Sequence, residues 1–265
     1  MKITRVLLLS IIFLNLSATV NAQETKGGQM CAEPSLGVIF DATYVSRYIW
    51  RGYDTYPDNH SAIQPSIDID LYETGFGINV WSSMANRSGF EDDKEIDYTV
   101  YYYNSFFDKE IYAVNYRLGW SYYSYPVMPR TAADMQELFA TFCLPNICPL
   151  GIIPSYTPIC TWPSEKNSDV RENGGWLHIF GLCYDLTMPN IIPERTFHLT
   201  AETIYNDGAY GSTHDWSHAV FGISTSFNVT KNLTFTPAFY YQSSWEKSVN
   251  EHDEHWISLS LTYQF

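Results

Sequence analysis

The chain has 265 residues, with 15 lysines and arginines against 29 aspartates and glutamates, which gives a formal net charge of −14. This acidity argues against a nucleic-acid partner, because phosphates are bound by basic surfaces. The chain is rich in aromatic residues (21 Tyr, 15 Phe and 8 Trp), yet its mean hydropathy is only −0.19. Both features are typical of membrane β-barrels, in which aromatic girdles flank the hydrocarbon and only alternate residues face lipid.

The N-terminus predicts an exported protein. A basic start, Met1–Arg5, precedes a short apolar run over residues 6–16 and small residues that end at Ala22. This is the pattern of a cleaved secretory signal peptide, here residues 1–22, and the run is too short for a membrane anchor. Residues 23–35 are polar and predict a periplasmic tail, which leaves residues 36–265 for a single barrel domain.

The first predicted strand, Gly37–Trp50, separates charged from apolar side chains. If it continues to residue 51, one face carries Val38, Phe40, Ala42, Tyr44, Tyr48 and Trp50, and the other carries Asp41, Thr43, Arg47 and Arg51. A strand alternates its side chains between two faces, so this pattern indicates a lipid-facing wall with a water-filled lumen behind it.

Several short motifs resemble one known family. Residues 45–52 (Val-Ser-Arg-Tyr-Ile-Trp-Arg-Gly), residues 62–65 (Ala-Ile-Gln-Pro) and the Gly-Phe-Gly of residues 75–77 with Trp81 resemble the TorF-type porins. Residues 95–98, residues 122–126 and Glu137 look like later parts of the same pattern. The resemblance implies a bacterial outer-membrane barrel and does not specify a solute. The cysteines depart from the family pattern.

Eleven further strands follow. They are predicted at Ala62–Tyr72, Phe76–Met84, Glu95–Phe106, Ile111–Tyr123, Met135–Leu144, within Gly151–Trp162, within Trp176–Asp185, and at Thr196–Asn206, Ser217–Asn228, Leu233–Tyr241 and His255–Phe265. The strand within Gly151–Trp162 is interrupted by prolines, which remove a hydrogen-bond donor from the ladder. Short connections alternate with longer acidic ones, as in outer-membrane barrels with short periplasmic turns. The sequence therefore predicts an all-β, closed antiparallel transmembrane barrel of twelve strands.

The parity of the strands predicts which charged residues line the pore. The set is Asp41, Arg47, Arg51, Asp68, Asp70, Asp97, Arg117, Glu137, His198 and Glu202. Opposing charges with acids in excess favour small polar solutes, with some preference for cations. Arg47 and Arg51 are expected to face Asp68 and Asp70 near the external mouth. Alternatively the charges pair and plug the lumen, because twelve strands lie between filled and open barrels.

A hydrolase is the competing class of function. The strongest local candidate is Ser212 to His218 (Ser-Thr-His-Asp-Trp-Ser-His), which contains a possible nucleophile, base and acid. It lies at a predicted loop-to-strand junction, where sequence spacing guarantees no geometry. The spacing of His214 and His218 suits a metal ion only on a helix. We therefore predict no catalytic site, no metal and no cofactor.

Five cysteines remain after the signal peptide, in a compartment where disulfides persist. Alternating strand directions place Cys143, Cys148 and Cys183 near the periplasmic rim. We expect at least one disulfide among these rim cysteines, with Cys143–Cys148 and Cys148–Cys183 the favoured pairs. Free buried thiols are the alternative, since sequence cannot determine connectivity.

The last strand strengthens the barrel hypothesis. Its apolar set ends in Leu261, Tyr263 and Phe265, which resemble the C-terminal signal that the barrel-assembly machinery recognises. In a soluble sandwich such a long apolar edge strand would recruit other chains, whereas a closed barrel has no edge. We therefore predict a channel in the bacterial outer membrane for passive diffusion of small hydrophilic solutes. The alternatives are a plugged structural or adhesive barrel and, less favoured, an outer-membrane hydrolase.

Overall fold

Twelve long antiparallel strands account for more than half of the described residues. The computed structural model describes residues 36–57, 60–188 and 195–265. The strands are β1 (Gly37–Val45), β2 (Ala62–Asp70), β3 (Phe76–Ala85), β4 (Glu95–Phe106), β5 (Val114–Ser124), β6 (Met135–Cys143), β7 (Ile153–Pro163), β8 (Gly175–Thr187), β9 (Thr196–Asp207), β10 (His214–Ser224), β11 (Leu233–Ser244) and β12 (Glu254–Gln264). The predicted signal peptide and periplasmic tail lie outside the described residues.

The sheet closes on itself. Each strand pairs with the next, and β12 pairs with β1, where Leu261 lies opposite Ala42. Every strand thus has two neighbours, which removes the exposed edge that would otherwise recruit other chains. The prediction of a closed antiparallel barrel of twelve strands is confirmed. The helical elements described are Arg130–Ala133 and two turns of 3₁₀ helix, at Arg171–Asn173 and Ala209–Gly211.

No helix within the described parts of the chain is long and apolar enough to cross a membrane.

The two faces of the wall follow the alternation in the sequence. In β12, Ser258, Ser260 and Thr262 are buried on the inner face. Leu259 and Leu261 are exposed on the outer face, as are large apolar side chains of the other strands. An exposed apolar band around a polar interior is favourable only where the outside is hydrocarbon, so the barrel is built to span a membrane.

Prolines are accommodated where the ladder is interrupted. The pairing of β6 with β7 runs to Phe139 opposite Ile159 and resumes at Phe142 opposite Tyr156. Pro158 lies in that interval, so its missing N–H does not break a register that is otherwise continuous. The strand predicted within Gly151–Trp162 therefore forms despite its prolines.

The two ends of the barrel differ. We call the end at which Gly37 and Gln264 lie the terminal rim, and the opposite end the loop rim. The connections at the terminal rim include residues 71–75 and 107–113, whereas the loop rim carries the long connection 46–61. The longest connection between two neighbouring wall strands therefore lies at the loop rim.

Deleting Phe265 tests the predicted assembly signal. Its backbone N–H donates to Val38 O (3.1 Å), and its side chain is 76% exposed. The deletion removes one rim hydrogen bond and little packing, so the mature fold should keep most of its stability. We nevertheless expect less folded barrel in outer-membrane fractions, measured by heat-modifiable gel mobility. Phe265→Tyr, which keeps an aromatic end, is the control, and normal insertion of the deletion variant would contradict the signal.

Candidate functional site

The connection after β1 folds into the barrel. The strand β1 ends at Val45, whereas Trp50 was the predicted end. The backbone N–H of Ser46 still donates a hydrogen bond to Ile257 O of β12 (3.0 Å), and beyond it the chain leaves the wall. A small hairpin follows, in which Ile49–Trp50 pairs with Tyr53–Asp54. Its two turn residues, Arg51 and Gly52, both have a positive φ, 48° and 94°, which is the geometry of a tight hairpin turn. We call residues 46–57 the inner loop.

The inner loop contradicts part of the predicted assignment of residues to the lipid-facing and lumen-facing sides. Tyr48 is buried (6% exposed) and contacts the rings of Tyr56 and Trp81 inside the barrel. Trp50 contacts Tyr123, an inward residue of β5. These two aromatic residues therefore do not face lipid. The alternation fails because the chain leaves the wall after Val45.

The tip of the inner loop presses against β10 and β11. Gly52 O accepts hydrogen bonds from Gln242 Nε2 (2.9 Å) and Asn250 Nδ2 (3.1 Å). A Cβ atom at Gly52 would lie 2.6 Å from the His218 ring and from Val249. Both this close approach and the positive φ favour glycine at the tip.

Arg51 anchors the inner loop on the other side of the lumen. Its guanidinium forms an ion pair with Glu137 of β6 (2.7 Å), and both side chains are nearly fully buried. Nη1 donates to the Tyr210 hydroxyl (2.9 Å), and the guanidinium lies 4.6 Å from the Trp50 ring centre. Burial raises the pKa of Tyr210, so this phenol stays neutral beside the cation. The inner loop thus crosses the lumen from one wall to the other.

Further contacts hold the inner loop around its perimeter. Arg47 forms an ion pair with Glu254 of β12. The Tyr48 hydroxyl donates to Glu95 (2.9 Å), and the Tyr56 hydroxyl donates to Ser83 Oγ (3.2 Å). The inner loop is therefore a packed part of the interior at the loop rim.

Acidic side chains surround Arg51. We call Glu95, Asp97, Glu137 and Glu202 together with Arg51 the constriction cluster. Glu95 accepts hydrogen bonds from Tyr48 and Tyr125 (both 2.9 Å), and Glu137 holds Arg51. The cluster has four acidic side chains and a single guanidinium, so acids outnumber bases at this level of the lumen.

A second charged group lies near the terminal rim. Asp68 accepts from the Tyr101 hydroxyl (2.7 Å) and from Asn79 (3.3 Å), and Arg117 lies over the Tyr101 ring (3.8 Å). Asp70 accepts from the Tyr103 hydroxyl (2.6 Å). The expectation that Asp68 and Asp70 face the arginines of the inner loop is wrong. The strand β2 begins at the loop rim with Ala62, so these residues lie at its far end.

The remaining predicted pore residues lie apart from the inner loop. Asp41 is buried on β1 and accepts from Thr43 (2.5 Å), Thr262 (2.7 Å) and Ser260. His198 contacts Asp185 (2.6 Å) at the terminal end of β8 and β9.

Little free space remains beside the tip of the inner loop. A cavity of about 20 Å³ is lined by Arg51, Glu202, His218, Gln242 and Trp256 among others. This volume suits about one water molecule. Inward residues of β9 and β11 nearer the terminal rim, such as Thr200 and Thr236, are partly exposed. Other inward residues near that rim, such as Asn115 and Thr262, are buried. The inner loop thus fills the lumen at the loop rim, and the terminal half is lined by both buried and partly exposed polar side chains.

The residues proposed for a hydrolase are dispersed. Ser212 contacts the Tyr53 hydroxyl, and His214 is exposed and contacts Asp207. Ser217 Oγ lies 2.9 Å from His218 Nδ1, but Nε2 of that ring has no hydrogen-bond partner in the described part of the chain. A nucleophile, base and orienting acid are therefore not assembled here. No group of three or more His, Cys, Asp or Glu residues within the described ranges could hold a metal ion.

The expected disulfide is not formed in the structure. No S–S bond joins any two of the four described cysteines, residues 143, 148, 160 and 183. Cys143 is the last residue of β6 and is buried on the inner face, whereas Cys148 lies in the turn beyond it. A disulfide within this set therefore stays a prediction for the protein in an oxidising envelope.

Several residues of the site escaped the sequence-based prediction. Glu95 and Glu254 are the first residues of their strands and share the inward parity of Asp97 and Ser258, which could have revealed them. Tyr210 belongs to a loop, and no periodicity indicates where it points. Its position depends on how two loops meet inside the barrel.

Comparison with known proteins supports the fold. No protein-family model and no curated protein matches the chain, so the resemblance to TorF-type porins stays a prediction. Among solved structures, the chain is similar to the KdgM porin (TM-score 0.51, 10% identity), covering 86% of this chain and 99% of that one. It is also similar to the NanC porin (TM-score 0.52, 10% identity), covering 86% and 100%.

A weaker likeness, with a TM-score of 0.47 and 12% identity, is to outer membrane phospholipase A from Escherichia coli, covering 91% of this chain and 94% of that one. At these identities the likenesses concern the fold. The chain is a twelve-stranded barrel of the architecture found in outer-membrane porins.

Proposed function

We propose that this protein is an outer-membrane channel for passive diffusion of small hydrophilic solutes, closed at its loop rim by the inner loop. The observation that carries the proposal is a charged, polar interior behind an apolar outer face, crossed by one loop near the loop rim. The porin architecture of the structural neighbours supports it. Export by a signal peptide and insertion by the barrel-assembly machinery into lipid are part of the same proposal.

The charges of the inner face support a preference for cations. The inward acids outnumber the inward arginines: Asp41, Asp68, Asp70, Glu95, Asp97, Glu137, Glu202 and Glu254 against Arg47, Arg51 and Arg117. In a narrow channel with low-dielectric walls, these charges interact strongly with a passing ion, because little water or salt lies between them to screen the interaction. A small cation should therefore enter more readily than an anion of the same size.

A plugged barrel is the second candidate. The buried ion pair of Arg51 with Glu137 and the packing of Tyr56 favour it, because both hold the inner loop firmly across the lumen. A barrel permanently closed in this way would serve as a structural or adhesive element, exposing its acidic loops. The two candidates differ in whether ions pass.

Planar-bilayer recordings under a salt gradient test the channel. We expect conductance with a reversal potential that indicates cation preference. Asp68→Asn combined with Asp70→Asn should reduce that preference, because two carboxylates leave the lumen. The matched control is Glu91→Gln with Asp92→Asn, which removes the same charge from exposed positions of the 86–94 connection.

Two results would contradict the proposal. If neither the native protein nor a variant with a released inner loop conducts ions, the barrel is plugged. If the double variant at Asp68 and Asp70 and the control double variant at Glu91 and Asp92 shift the reversal potential equally, the lumen carboxylates do not line the conducting path.

A further inference from the structure

The interior of the barrel is packed unevenly. On one side, four large aromatic rings point inward from the neighbouring strands β3 to β6, and all of them are buried: Trp81, Tyr101, Tyr123 and Phe139. Their packing is close, since a Cβ atom at the inward Gly119 would lie 2.3 Å from the Phe139 ring. This side of the lumen is therefore filled by the chain's own side chains.

The opposite side carries mostly small inward side chains. Along the halves of β9, β10 and β11 that run to the terminal rim, the inward positions are Thr200, Glu202, Gly222, Ser224, Thr236 and Ala238. All six are partly exposed, although the wall covers their outer side. Their accessible surface therefore faces the lumen.

The exposure changes between neighbouring strands at one level of the barrel. Thr236 of β11 lies directly opposite Ser260 of β12 in the register. Thr236 is partly exposed, whereas Ser260 is buried, accepts a hydrogen bond from Thr43 (2.9 Å) and donates one to Asp41. Distance from the rim does not explain this difference, so the accessible surface of the interior is concentrated on β9 to β11.

This accessible surface ends beneath the tip of the inner loop. We call the inward surface of Thr200, Glu202, Thr236 and Tyr240 the side groove. Glu202 also lines the small cavity beside the tip, together with inward residues of β10 to β12. Gly52 O accepts its hydrogen bond from Gln242 of β11 at the same place. The side groove and the seat of the tip thus lie on the same side of the lumen.

We propose that the solute path of the channel lies off the barrel axis: it follows the side groove and passes between Gly52 and the wall formed by β10 and β11. Hydroxyl groups and one carboxyl group line this path, which suits small polar solutes that are neutral or cationic. The inference rests on the proposed channel function. Accessibility of the side groove can be measured without conductance, so the two can fail separately.

The first test is thiol labelling of the purified full-length barrel in detergent. Thr200→Cys and Thr236→Cys place a thiol in the side groove, and Thr99→Cys and Thr157→Cys place one at buried inward positions of β4 and β7. The reagent is a methanethiosulfonate that carries a quaternary ammonium group, and mass spectrometry of peptides locates the label. The groove variants should react about tenfold faster or more than the buried controls, because access limits thiol exchange. All four changes are nearly isosteric, so the fold should be retained.

The second test is planar-bilayer conductance before and after labelling. Thr200→Cys and Thr236→Cys should conduct like the native protein before labelling. The attached group should then lower their conductance by about half or more, because it narrows the path. Native protein treated with the same reagent is the control for the cysteines that the chain already contains.

The outcomes separate the path from the channel. If the four variants react at equal rates, or if the labelled groove variants conduct as they did before labelling, the path does not follow the side groove and the proposal is overturned. If the groove variants are labelled selectively but the native barrel conducts no ions, the channel function fails, and the path fails with it.

Discussion

Arg51→Ala is expected to raise the single-channel conductance of the barrel strongly. The variant removes the ion pair with Glu137, in which the two side chains are 5% and 1% exposed. Breaking a buried pair by removing one partner costs about 3–5 kcal/mol, because the remaining charge stays buried without compensation. Here the inner loop can leave the lumen and let water reach Glu137. The closed arrangement should therefore lose population by about 100-fold or more relative to the open one.

Planar-bilayer conductance of the native and variant proteins at equal protein density measures this effect. Glu137→Gln breaks the same pair from the other side and should also raise conductance. Lys94→Ala removes one positive charge from an exposed position near the loop rim and should change little. An Arg51→Ala protein with native conductance would show that the inner loop either does not close the path or does not depend on Arg51.

Leu259→Arg is expected to destabilise the inserted barrel by about 2–4 kcal/mol, whereas Ser258→Arg should be far milder. Leu259 lies at the middle of β12 on the outer face, so the variant directs a charge into hydrocarbon. Ser258 points into a lumen rich in carboxylates, where a guanidinium can find partners. Urea unfolding of both variants in lipid vesicles, followed by gel mobility, gives the difference. Equal destabilisation would mean that the register of β12 is shifted by one residue.

The wall of the barrel was predictable because one rule governs it. Each strand alternates between lipid and lumen, so Leu259 and Ser258 could be assigned to opposite faces from sequence alone. The rule stops where the chain leaves the wall, which it does after Val45. The pair Arg51-Gly52, between two short β-prone segments, was the local signal of a tight turn that could have marked the inner loop.

The position of the charged residues along the barrel axis was harder to predict than whether they point inward or outward. Asp68 and Arg51 both have inward parity, but the strand direction decides whether a residue lies near one rim or the other. The ion pair of Arg51 with Glu137 joins a loop to a strand on the far side of the barrel. Such a contact has no sequence periodicity, since it depends on how the loop folds inside the closed sheet.

The docking of the inner loop has a consequence for the order of assembly. Its tip is held by Gln242 and Asn250, and its base by Glu254, all from the last fifth of the chain. These partners are in place only after β12 has joined β1. The inner loop therefore cannot complete its contacts before the last strands are in place, so sealing of the loop rim depends on closure of the sheet.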